Sequence, residues 1–215
     1  STILAVLKPK VSNSIYLALV YVLFPLMFLG LFLNQKNLWN STSQNPAIQL
    51  EFKLAQRGRS IGNRLHNLLE NEQELPRVGI IVAGGFAHTY GGESVDLMGL
   101  NNVLMAHNGG DRVGLKNHAA FEKDSFYELM PDVVHPQLIN NDRWDSASKG
   151  IKNSWTSINT LKNLFQDEKF LEQYDYVKIS KIEATDTHSL VGWFKKDYLN
   201  TLESTGQYDI ERSNY

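Results

Sequence analysis

Between Ile15 and Leu33 lie nineteen residues without a single charge, and this run limits the chain's folding options more than any other feature. As an α-helix it would span about 28 Å, close to the hydrocarbon thickness of a bilayer, which is about 30 Å. A helix that is apolar on every face for so long is out of place on the surface of a water-soluble domain. The run therefore predicts a transmembrane helix at 15–33, kinked at Pro25 but tolerable there if neighbouring helices pack against it. Residues 1–14 read as a cytoplasmic loop or the end of a preceding membrane helix. Lys8 and Lys10 precede the run and Lys36 follows it. By the positive-inside rule, that asymmetry points the rest of the chain outward, to an extracytoplasmic compartment. Tyr16, Tyr21 and Trp39 fall near the boundaries, where aromatic rings favour the interface.

The remainder is of a different character. The 215-residue chain is 42% apolar and 20% charged with a net charge of -2, and nearly all of that charge follows residue 35. A balance so close to neutral supplies no basic stripe for nucleic acid. The absence of cysteine excludes disulfides and thiolate metal sites, and it suits an oxidising exterior.

Residues 34–45 read as a linker and 46–215 as one α/β domain. Asn45-Pro46 looks like a helix start, and Ala47, Leu50, Leu54, Ile61, Leu65 and Leu68 recur at helical spacing. Gly58 and Gly62 weaken that helix but permit close packing, and Arg57, Arg59 and Arg64 read as a solvated face in preference to a site for anionic lipid or phosphate. Val78 to Ala83 is a short buried strand stopped by Gly84-Gly85, and Ser94 to Met98 is a second strand. Phe121 to Met130 is helical and Val133-Val134 a brief strand. Ile151 to Phe170 reads as one or two helices, and 174–184 with 189–194 as a hairpin. Alternating helices and strands predict a compact α/β sandwich with a partly parallel sheet.

Residues Gly84 to His118 concentrate glycines with His88, Tyr90, Glu93, Asp96, Asn102, His107, Lys116 and His118. Glycine-rich polar loops after a buried strand are where α/β folds place ligands, so these eight are the candidate substrate-binding residues. There is no G-x-G-x-x-G after the first strand, no G-K-[ST] and no G-x-S-x-G, so neither a nucleotide cradle nor a serine hydrolase is indicated. The histidine and carboxylate spacing matches no metal motif, and neither a metal nor a cofactor is expected. Each residue also has a plainer reading, in which Asp96 caps a turn and the histidines pin loops.

Taken in order, Val82-Ala-Gly-Gly-Phe-Ala-His-Thr-Tyr90, Asp96-Leu-Met-Gly-Leu-Asn-Asn102, Met105-Ala-His107, Gly114-Leu-Lys-Asn-His118 and Met130-Pro-Asp-Val-Val134 form a recognisable series. The series resembles the soluble C-terminal domain of GT-C type polytopic membrane glycosyltransferases, especially the arabinofuranosyltransferase-like branch. The similarity covers roughly residues 55–135. It departs at Asn102, where the family pattern D-x-x-G-L-x-D carries an acid. The resemblance implies an accessory domain of a multi-pass inner-membrane enzyme that transfers sugar from a polyprenyl-phosphate donor to a cell-envelope glycan. It also implies that the catalytic acid lies in an early loop between the first membrane helices, a loop this sequence does not contain. Within the chain, Lys116, His118, Arg112 and glycine-flanked backbone would donate to phosphate, Glu93, Asp96 and Tyr90 would bind sugar hydroxyls, and Trp144 or Trp155 would stack on a sugar. The alternative is a non-enzymatic, membrane-tethered binding or scaffolding module.

Overall fold

The computed structural model describes residues 19–30, 47–111, 120–182 and 188–214. The chain divides into two units, Ser1–Phe52 and Lys53–Tyr215.

In the first unit, the apolar run is described over 19–30. Leu19–Leu23 forms a π-helical turn, and residues 24–30 continue as α-helix. The wide turn stands directly before Pro25, whose ring removes one N–H and crowds the preceding turn, so the irregularity has a covalent cause. Side chains from Tyr21 to Leu29 are exposed, for example Tyr21 at 72% and Phe28 at 63%. Among the described residues no helix is long and apolar enough to cross a membrane. The remaining residues of the expected span, and Tyr16, Lys36 and Trp39, lie outside the described residues.

The second unit is the expected α/β structure with a mixed sheet. Helix α1 (Ala47–Leu69) passes into it from the first unit. Strand β1 (Val78–Ile80), helix α2 (Ala83–Tyr90) and strand β2 (Ser94–Asp96) form a crossover unit. Helices α3 (Val103–His107) and α4 (Lys123–Leu129) lead to strand β3 (Val133–Asn140). Short helices α5 (Trp144–Gly150), α6 (Trp155–Asn159) and α7 (Glu168–Gln173) precede strands β4 (Tyr174–Lys181) and β5 (His188–Lys195). Helix α8 (Lys196–Thr205) and strand β6 (Tyr208–Arg212) complete the element order. The strands lie in the order β2-β1-β3-β5-β4-β6. β1 is parallel to both β2 and β3, and the remaining pairings are antiparallel.

Period-two alternation along the strands builds a core on each face of the sheet. Val134, Tyr176, Val191 and Trp193 face one layer with Met105, Phe126, Phe165 and Phe170. Val133, Val177, Leu190 and Phe194 face the other with Leu65, Leu69, Phe86 and Leu199. β5 is buried on both sides along Ser189–Phe194, as a central strand must be.

Several local expectations change. Gly84 and Gly85 do not stop a strand but lie inside α2, because Gly85 lets that helix seat on the backbone of α1 near Ala55. β3 is eight residues long rather than two. Its Pro136 sits at a bulge between Val134 and Gln137, where a missing N–H costs no ladder bond. Residues 151–173 break into short turns of 3-10 and α-helix instead of one or two long helices. The hairpin strands are present as β4 and β5, with 183–187 outside the described residues. Trp144 is not a free stacking surface. It is buried against Tyr176, and its indole N–H donates to Glu211 Oε1 at 2.6 Å. Trp155 is 59% exposed.

Candidate functional site

The three parallel strands define where a ligand crevice would form. From β1 the chain crosses through α2 to β2 on one side, then through α3 and α4 to β3 on the other. Phe86 and Tyr90 of α2 pack on one face of the sheet, and Met105 and Phe126 of α3 and α4 pack on the opposite face. The direction of winding therefore reverses between β1 and β3, and such switch points open at the carboxyl ends of the strands. β1 and β3 pair only at Val78↔Val133 and Gly79↔Val134 before they part.

His135 stands at that parting. Its backbone is left-handed, with φ of 51°, where the bulge turns β3 away. The partly buried ring lies against Phe165, with centroids 6.3 Å apart, and Gln137 Nε2 donates to its Nε2 at 2.5 Å. Burial, and secondarily the charge of Arg57, lowers its pKa to about 4. At neutral pH His135 is thus an uncharged imidazole with one donor and one acceptor nitrogen. Across the same edge, α2 begins after Val82 with no side-chain cap.

The residues singled out from the sequence are distributed differently. Asp96 is 4% exposed and accepts the backbone N–H groups of Met98 and Asn101, each at 2.9 Å. Asn102 caps α3 by accepting the Met105 N–H at 3.0 Å. These two belong to one turn after β2. Tyr90 is fully buried, packs on Phe86 and donates to the Pro76 carbonyl at 2.6 Å, and burial raises its pKa far above the ordinary tyrosine value. Glu93 is exposed before β2 and pairs with Arg77 at 2.9 Å. Tyr90 and Glu93 therefore lie at the amino ends of the parallel strands, away from the Asp96 turn. His88 on α2 and His107 at the end of α3 are exposed. Lys116, His118 and Arg112 fall outside the described residues. The described candidates on the strand ends are thus divided between the two ends of β2. Among the described residues, no group of three or more histidine, aspartate or glutamate side chains could hold a metal.

Arg57 and Arg59 are exposed, as a solvated face requires, while Arg64 reaches the His188 carbonyl at 3.4 Å. A second polar cluster ties α4 to the turn before α7. Lys123 Nζ and the Tyr127 hydroxyl both donate to Asp167, at 2.7 and 2.8 Å. Burial pushes the Asp167 carboxyl up, but these two donors outweigh it and hold its pKa below the ordinary value. His135 was missed in the sequence because Val-Val-His-Pro reads as the end of a strand. The one available signal was a histidine before proline, at the carboxyl side of a buried run.

Fold and site define an α/β domain with a parallel half that carries a switch-point edge. No protein-family model, curated protein or solved structure matches the chain.

Proposed function

We propose that this chain is the C-terminal accessory region of an integral-membrane glycosyltransferase. In this reading the parent is a multi-pass protein of the inner membrane. It moves sugar from a polyprenyl-phosphate donor to a cell-envelope glycan, and residues 46–215 form its extracytoplasmic domain. The observation that carries the reading is the ordered series from Val82 to Val134, following an uncharged run of nineteen residues. It is supported by the position of the described parts of that series, which fall on α2, the end of β2 with the turn after it, α3 and the start of β3, within the parallel half of the sheet.

Transfer from a lipid phosphate to a hydroxyl needs a base near the acceptor and donors or positive charge near the leaving phosphate. The proposed contribution of this domain is enclosure and acceptor binding, with the catalytic acid supplied by an early membrane loop. The test is transfer of labelled sugar from polyprenyl-phosphate donors in membranes containing the complete reading frame. Transfer abolished by neutralising an acid in the first outer loop supports the reading. A complete reading frame with no further membrane spans and no transfer overturns it.

A second reading, a membrane-tethered binding or scaffolding module, is favoured by one specific observation. Tyr90, Glu93, Asp96 and Asn102 all direct polar atoms to partners within the fold.

A further inference from the structure

The turn after β2 is held by a buried carboxylate. Asp96 grips the N–H groups of Met98 and Asn101, so the loop between them is held in one shape. Leu100, the residue before Asn101, is displayed to solvent at 71%. Asn102 then caps α3, whose first residue, Val103, is 77% exposed. At the end of the neighbouring strand, Val82 is 43% exposed. Three apolar side chains thus stand out near the carboxyl ends of β1 and β2, Leu100 on the turn held by Asp96, Val103 at the start of α3 and Val82 before α2. Single exposed apolar residues need no explanation, but three beside the ends of two paired strands do.

The same edge lies beside α1. Ala55 of α1 lies on Gly85 at the start of α2, and Gly62 lies on Phe86 and Thr89 further along. The two helices therefore run side by side in the same direction, and α1 arrives beside the carboxyl end of β1. Lys53 and Arg57, one on each side of Ala55, are exposed there. The uncharged run at 15–33 precedes this arrival by a short stretch of chain.

We propose that the edge formed by Val82, Leu100 and Val103 docks on the surface of the bilayer that anchors the chain. The apolar side chains enter the headgroup boundary while Lys53 and Arg57 face anionic lipid. This inference rests on the reading of residues 15–33 as a membrane anchor, and the experiment separates the two.

The full chain, which has no native cysteine, is reconstituted into vesicles of phosphatidylglycerol and phosphatidylethanolamine as Leu100→Cys carrying an environment-sensitive fluorophore. Gln73→Cys, exposed in the turn before β1, is labelled as the control site. Both replaced side chains are solvent-exposed, so the fold is retained. Docking predicts blue-shifted emission and quenching by doxyl-labelled lipid at position 100, with neither effect at position 73. If alkaline carbonate strips the chain from the vesicles, the anchor reading fails and the docking with it. Retention with water-like emission at position 100 overturns the docking alone. A blue shift without lipid quenching assigns the edge to a protein partner or a second copy, and also overturns it.

Discussion

Gly85 of α2 sits directly on the backbone of Ala55 of α1. A Cβ at position 85 would stand 2.7 Å from the Ala55 carbonyl carbon, and closer still to its oxygen. This contact aligns the two helices over one face of the sheet. Gly85→Ala must push them apart, and overpacking of this kind costs about 1–3 kcal/mol or more when backbone has to move. Chemical denaturation should show a lower midpoint for Gly85→Ala. Gly84→Ala, where nothing lies within 4 Å of the added carbon, should be close to neutral or slightly stabilising.

Asp96 supplies the acceptor for two backbone donors in a buried turn. Asp96→Ala should cost about 2–3 kcal/mol, the range for losing charge-assisted bonds and leaving an amide unsatisfied. The loss should appear in unfolding of the chain without any ligand. A variant of undiminished stability that had lost glycan binding would instead make Asp96 a ligand contact.

His135 makes stability depend on pH in a defined window. In the folded chain it takes up its proton near pH 4, whereas the reference value is 6.5. Between those values the unfolded state holds more protons. The stability due to the neutral ring is therefore complete above pH 6.5 and falls as the pH drops towards 4, by up to about 3 kcal/mol. His135→Asn accepts the left-handed backbone and removes the titration. Its unfolding free energy should be flatter between pH 6.5 and 4 than that of the parent chain. NMR titration of the His135 ring gives the direct check.

The apolar run carries a separate expectation. Leu26→Arg places a charge in the middle of the segment, at an apparent insertion cost of about 2.5–3.5 kcal/mol. The parent chain should remain with membranes after carbonate extraction, and the variant should be released in larger part. Equal release of both would remove the anchor from the interpretation.

How much was legible in the sequence follows from the range of the forces involved. α1 and the paired strands β4 and β5 are visible in their apolar spacing, because that spacing reports which face is buried. α2 is hidden, since two glycines at its start disfavour a helix locally and only the close approach to Ala55 reverses that preference. β3 is hidden beyond Val134, because Pro136 argues against a strand until a bulge accommodates it. α8 carries a local signal in Leu199, Leu202 and the left-handed Gly206 that follows, whereas β6 carries none. β6 gains its order by pairing along Val177–Lys181 of β4.

The candidate site divides in the same way. Asp96 as a turn cap and the close packing at Gly58 and Gly62 follow from local chemistry, and both are visible in the residues themselves. The separation of Tyr90 and Glu93 from the Asp96 turn is a consequence of strand direction. Residues only a few positions apart are carried to opposite ends of β2. His135 becomes a feature only when β1 ends beside it and Phe165 closes over its ring. The sequence alone determined the class of the fold, the uncharged segment and the local turns, because each depends on near neighbours. Only the tertiary structure decided which polar groups are used up inside the fold and which apolar ones remain outside. Those outcomes depend on contacts between residues far apart in the chain.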